Sequence, residues 1–89
     1  MLEKMASRIL VKDAVQRAMF CPRCQGILDV RRAVLMDVEV SGKTVFMAVE
    51  CGKCYDGEAK AQLEAGVKAV EAKRPDADVN VTIYDGRVL

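Results

Sequence analysis

Histidine and tryptophan are absent from the 89-residue chain, which also has only two Phe, two Tyr and two Pro. Without an imidazole there is no histidine general base and no Ser–His or Cys–His nucleophile pair. A metal site of mixed cysteine and histidine is excluded as well. So few aromatics leave stacking on single-stranded bases with little support. Long apolar runs are also missing. Stretches such as Val45–Val49 fall far short of the roughly 20 residues a membrane helix needs. The N-terminus lacks the apolar stretch of a secretory signal. The expectation is a cytoplasmic chain with no membrane partner, whose native start is Met1 or Met5. An excess of one charge is lacking too: 14 basic and 13 acidic residues leave +1, no global commitment to nucleic acid or membrane.

What is present suffices for one small folded domain. Ile, Leu, Val and Phe number 24 of 89, above the disorder-like range. A chain this short builds a thin core and usually needs a staple. Four cysteines offer one, and in a reducing compartment paired cysteines point to metal or redox chemistry. The charge is uneven. Residues 1–32 hold seven basic and three acidic side chains, and residues 33–89 hold seven basic and ten acidic.

Periodicity orders the chain. From Leu2 to Phe20 the pattern reads as helix, with Val11, Val15, Ala18 and Met19 on one face. Asp13 with Gln16 offers an alternative, later start as a capping box, which would leave Ile9–Val11 as a short strand. Val34, Met36, Val38 and Val40 alternate with Leu35, Asp37 and Glu39, a strand. Ser41-Gly42-Lys43 supplies turn chemistry, and Thr44–Glu50 completes a hairpin. Asp56 reads as the N-cap of a helix whose clearest part is Glu58–Lys73, with the stripe Ala59, Leu63, Val67 and Val70 packed on the sheet and Pro75 ending it. Val79, Val81 and Ile83 mark a last half-buried strand. Asp85-Gly86 predicts a tight turn that returns Arg87–Leu89.

Cys21-Pro22-Arg23-Cys24 and Cys51-Gly52-Lys53-Cys54 flank the predicted hairpin. Two residues between cysteines let one turn aim both sulfurs at a point, and a hairpin brings the second turn beside the first. This pattern resembles the zinc-ribbon superfamily over about residues 20–55, where such turns sit at the base of a hairpin. The whole chain is similar to small zinc-ribbon proteins of bacteria and their viruses. The resemblance implies Zn²⁺ held by Cys21, Cys24, Cys51 and Cys54. The family's knuckle usually has Gly after its second Cys, where this chain has Gln25. Four cysteine ligands close a site to water and substrate, so the zinc is structural and the expectation is no enzyme and no small-molecule substrate. Four thiolates and one Zn²⁺ carry −2 together, which takes the formal charge from +1 to −1.

A rival order of elements, strand–CxxC–helix–strand over 44–84, resembles thioredoxin-like proteins and implies a dithiol oxidoreductase with a nucleophilic cysteine beside Lys53. It leaves the first CxxC without a role. Arg17, Arg23, Arg31 and Arg32, with Lys12, could form a nucleic-acid or acidic-partner patch, or simply solvate a small domain. Met5, Met19, Met36 and Met47 could form an adaptable binding surface, or fill gaps in the core. The N-terminal helix spreads Leu2, Met5, Ile9, Leu10, Val11 and Val15 round more than one face, which calls for a second neighbour, either a protein partner or another copy.

The sequence therefore predicts one α+β domain. Its parts are an N-terminal helix over 1–20, a zinc-ribbon β-hairpin over 21–54, a helix over 56–74, and a C-terminal strand and turn over 79–89 completing an antiparallel sheet. Its role is a non-enzymatic protein-interaction adaptor or regulator. Nucleic-acid binding and dithiol chemistry are the alternatives.

Overall fold

Ten of the 13 valines lie in residues 30–81, and the strands follow them. The computed structural model describes the backbone of residues 2–89 and the side chains of residues 6–89. Strands β1 (Ala33–Val40) and β2 (Lys43–Cys51) form an antiparallel hairpin, and β3 (Val79–Asp85) pairs antiparallel with the other side of β1. The order is β2-β1-β3. The central strand is buried on both faces, with Val34, Leu35, Met36 and Val38 all at 5% exposure or less. The turn at Ser41-Gly42 places both residues at positive φ, where glycine is at ease.

Helix α1 (Leu2–Ala18) covers one face of the sheet. Val11 and Val15 meet Leu28, Ala33, Leu35 and Val49 there in the main core, and Cys21 belongs to the same cluster. The helix stops two residues before the predicted Phe20, because Met19 turns left-handed at φ 65°, the conformation that commonly ends a helix. Ala18 and Met19 are consequently exposed rather than on the buried face. Ile9 and Leu10 point away from the core, at 63% and 46% exposure. The side chains of Leu2 and Met5 lie outside the described residues.

The second helix begins earlier than predicted. Gly52–Cys54 is already helical (α2), the run widens into a π-turn over Tyr55–Ala59, and it continues as α3 (Lys60–Lys73). Asp56 is therefore not an N-cap. Extended Cys51 starts the helix, and the freed Gly52 N–H is satisfied by the Arg32 carbonyl at 2.6 Å. Arg74 and Pro75 end the helix as expected.

The stripe on this helix does not seat fully on the sheet. Ala59 is buried, but α3 has no buried residue, and Leu63, Val67 and Val70 are half-buried. A cleft of about 470 Å³ opens between α3 and the sheet face carrying Met36, Val38, Phe46 and Ala48. Val81 and Ile83 on β3 stay 41% and 37% exposed for the same reason. After β3 the chain makes a turn and no returning strand. Arg87 leaves that turn to bind Asp56 and Asp85, and Arg8 of α1 donates to the Leu89 carbonyl at 2.6 Å.

Among the described residues no helix is long and apolar enough to cross a membrane.

Candidate metal centre

The two CxxC turns converge because the hairpin brings its ends together. Cys51 closes β2 and stands opposite Ala33, the first residue of β1. The segment before β1 folds back on the end of α1: Leu28 donates to the Met19 carbonyl at 3.0 Å, and Phe20 bridges Ile27. This sets Cys21 and Cys24 beside Cys51 and Cys54. The first turn is closed by Gln25 N–H to the Cys21 carbonyl at 2.7 Å and Cys21 N–H to the Gly26 carbonyl at 2.8 Å. Gln25 sits at φ 64°. It adopts the left-handed geometry that glycine supplies more cheaply, so this turn forms without the expected Gly.

All four Sγ atoms lie within 4.8 Å of one another. Those of Cys24 and Cys51 are 3.7 Å apart, and all four thiols are free. Metal–sulfur bonds of about 2.3 Å in a tetrahedron place sulfurs about 3.8 Å apart. The donor set and its spacing thus fit one metal ion. Burial grades across the site: Cys21 is fully buried, Cys51 and Cys54 are intermediate, and Cys24 is exposed.

The main chain already favours charge on one sulfur. Burial pushes the Cys21 thiol up, but the N–H groups of Cys51, Cys24 and Arg23 outweigh it and bring its pKa from 9.0 down to about 6. The Cys51 N–H lies 3.4 Å from that sulfur. Cys54 moves the other way. Its hydrogen bond with Cys51, then burial, raise its pKa well above the ordinary thiol range. Without a metal the cluster keeps protons that the ion must displace.

Two arginines brace the ligands. Arg23, between the first two cysteines, donates through Nε to Glu50 at 2.6 Å and through Nη2 to Gln62 at 2.7 Å, with Glu58 at 3.5 Å. Glu50 is 5% exposed and immediately precedes Cys51. The Glu50 hydrogen bond holds the Arg23 guanidinium above its ordinary pKa. One ion pair therefore ties the first CxxC to the second. Arg87 performs the other task. It reaches Asp56 at 2.7 and 3.1 Å and Asp85 at 2.8 and 2.9 Å, and it holds both carboxyls below their ordinary range. Both pairs persist at neutral pH and are lost only as pH falls through those depressed values. A side chain on Gly52 would meet Arg87 at 2.9 Å and the Arg32 carbonyl at 3.1 Å, so glycine lets the clamp lie on the second turn.

Of the four arginines read as a patch, Arg23 faces Glu50 and Arg17 pairs with Asp13 at 3.1 Å on α1. Arg31 and Arg32 lie exposed in the turn before β1 and form no salt bridge among the described residues. Sequence reasoning missed Glu50, Gln62, Asp56 and Arg87 as supports. Glu50 carried a signal: a charge on the strand face shared with Ala48 and Phe46 needs a buried partner.

Replacing Arg23 by Ala should weaken metal binding by roughly 10–100-fold, the usual cost of losing a residue that orients ligands. Competition against a chelator measures it, and an unchanged affinity would show that the ion pair does not support the site.

Compared with protein-family models, with curated proteins and with solved structures, the chain matches none of them.

Proposed function

We propose that the chain is a small, non-enzymatic zinc-binding protein that works as a protein-interaction adaptor or regulator. Its Zn²⁺ is held by Cys21, Cys24, Cys51 and Cys54. The observation that carries the metal reading is the convergence of four sulfurs within 4.8 Å. Four thiolates in a tetrahedron suit zinc or iron, and four protein ligands leave no position for a substrate. The dithiol reading gains no such support, because Cys51 and Cys54 share their cluster with Cys21 and Cys24. The nucleic-acid reading keeps only Arg31 and Arg32 of its four arginines. The adaptor role draws on Ile9 and Leu10, two apolar side chains that α1 leaves exposed.

Metal analysis with native mass spectrometry tests the centre. One zinc per chain, with all four thiols blocked to alkylation until it is removed, is the expected result. A coloured iron protein, or thiols freely titratable in the folded state, would overturn it. For the adaptor role, Ile9→Lys with Leu10→Lys should abolish recovery of a specific partner while zinc content stays at one.

A further inference from the structure

Access from solvent separates the four cysteines. Cys21 is fully buried in the core cluster with Val11, Val15 and Leu28. Cys51 and Cys54 are half-buried, and Cys24 alone is exposed. The first turn also leaves the Cys24 sulfur uncovered on one side. A Cβ at Gly26 would lie 3.5 Å from that Sγ, an ordinary contact, and would meet nothing else. The backbone at Gly26 is not left-handed, so the turn does not need glycine there for its conformation.

A second sulfur stands next to the exposed one. The Cys51 Sγ is 3.7 Å from the Cys24 Sγ, and the two belong to different CxxC turns. Pairing Cys24 with Cys21 instead would draw Cys21 out of the core and off the Cys51 N–H, which lies 3.4 Å from its sulfur. A bound metal keeps its cysteine ligands as thiolates. An accessible thiolate beside a resolving sulfur is the arrangement that peroxides oxidise reversibly.

We propose that Cys24 is the oxidation site of a redox switch, in which a peroxide joins Cys24 and Cys51 as a disulfide across the two turns and the metal leaves. The proposal rests on the metal reading above. The Cys24 thiolate attacks one oxygen of hydrogen peroxide, the O–O bond breaks, and a sulfenic acid and hydroxide form. The Cys51 thiolate then attacks the Cys24 sulfur, the S–O bond breaks, and a second hydroxide departs. The two thiolates give up two electrons, and the peroxide takes them. Cys21 and Cys54 are left as two ligands of a site that needs four, so the ion dissociates. A thiol reductant returns the two electrons and, with metal present, rebuilds the centre.

Hydrogen peroxide added to the zinc-loaded full chain, without air, tests it. A colorimetric chelator reads the zinc released. Bridges are mapped by mass spectrometry of tryptic peptides after alkylation, since Arg23 and Lys53 let trypsin separate the two cysteines of each turn. The expected result is one zinc released per peroxide consumed, a Cys24–Cys51 bridge, and alkylated Cys21 and Cys54. Dithiothreitol with added zinc should return the zinc content to its starting value. Gly26→Val, which covers the Cys24 sulfur, should slow release roughly threefold or more, because oxidation follows exposure. Its zinc content before oxidation should not change. If that variant fails to hold zinc, Gly26→Ala replaces it and must also slow release. Zinc that stays bound in excess peroxide, a bridge within one turn, or a loss that reductant does not reverse overturns the proposal. So does a Gly26 variant that releases zinc as fast as the native chain. A chain that holds no zinc before peroxide is added fails the metal reading and the proposal together, whereas a zinc-loaded chain that fails these tests fails the proposal alone.

Discussion

Stripped of bound metal by a chelator, the protein is expected to lose its cooperative melting transition, not merely to melt somewhat earlier. Structural zinc contributes on the order of 10–16 kcal/mol in small zinc peptides at neutral pH. The whole net stability of a typical domain is about 5–15 kcal/mol. This fold has little in reserve. Its main core is a cluster of seven buried residues, one of them the ligand Cys21, and on the other side of the sheet α3 buries none. Removing the ion also leaves four sulfurs within 4.8 Å that must share protons in a partly dry site. Thermal melts by circular dichroism, before and after chelation, measure the effect. A metal-free chain that keeps its melting curve would refute a structural role for the ion. Restoring zinc should restore the transition, which separates metal loss from irreversible damage.

Gly86→Ala is the second large effect. A Cβ at this position would lie 1.9 Å from the Val30 carbonyl oxygen and 2.9 Å from that of Ala33. Both obstacles are main chain, so no side-chain rotation relieves them. The Gly86 N–H donates to the Ala33 carbonyl at 2.8 Å. Moving the turn to admit a methyl breaks that bond and drags the neighbouring Arg87 off Asp56. Overpacking in a close-packed interior costs about 1–3 kcal/mol and sometimes more. An immovable backbone puts this case at the upper end, at ~3 kcal/mol or above. Urea unfolding of the metal-loaded variant reads it directly. A loss below ~0.5 kcal/mol, the scale of an ordinary surface change, would mean the turn has room that its geometry denies.

The same glycine shows where the sequence was legible and where it was not. Asp85-Gly86 announces a turn, and a turn is there. The reason glycine is needed is the carbonyl of Val30, 56 positions earlier, and no local pattern encodes that approach. The hairpin, α1, the final strand and the four cysteines follow from period and spacing, which are local signals. The start of the second helix was misplaced because Asp56 looks like a cap, and its real partner, Arg87, is 31 residues away. Arg23 looked like part of a basic surface because residues 1–32 carry seven basic side chains against three acidic ones; its neighbour in space is Glu50. The open cleft was hidden for a related reason. The stripe Ala59–Val70 has the right period for packing on a sheet, but period says nothing of how closely the helix settles, and α3 buries none of its residues.

Cys21 has a consequence for how such a chain could change over generations. The atom that binds the ion also packs among Val11, Val15, Leu28, Ala33, Leu35 and Val49. Metal centre and core are therefore one object. Substituting Cys21 with an apolar residue would enlarge the core yet strand three thiols around an incomplete site. Keeping the cysteine fixes the size and direction of everything packed against it. A single apolar substitution at Cys21 gives up the fourth ligand before any other position has compensated for it. A lineage with this architecture stays tied to its metal supply.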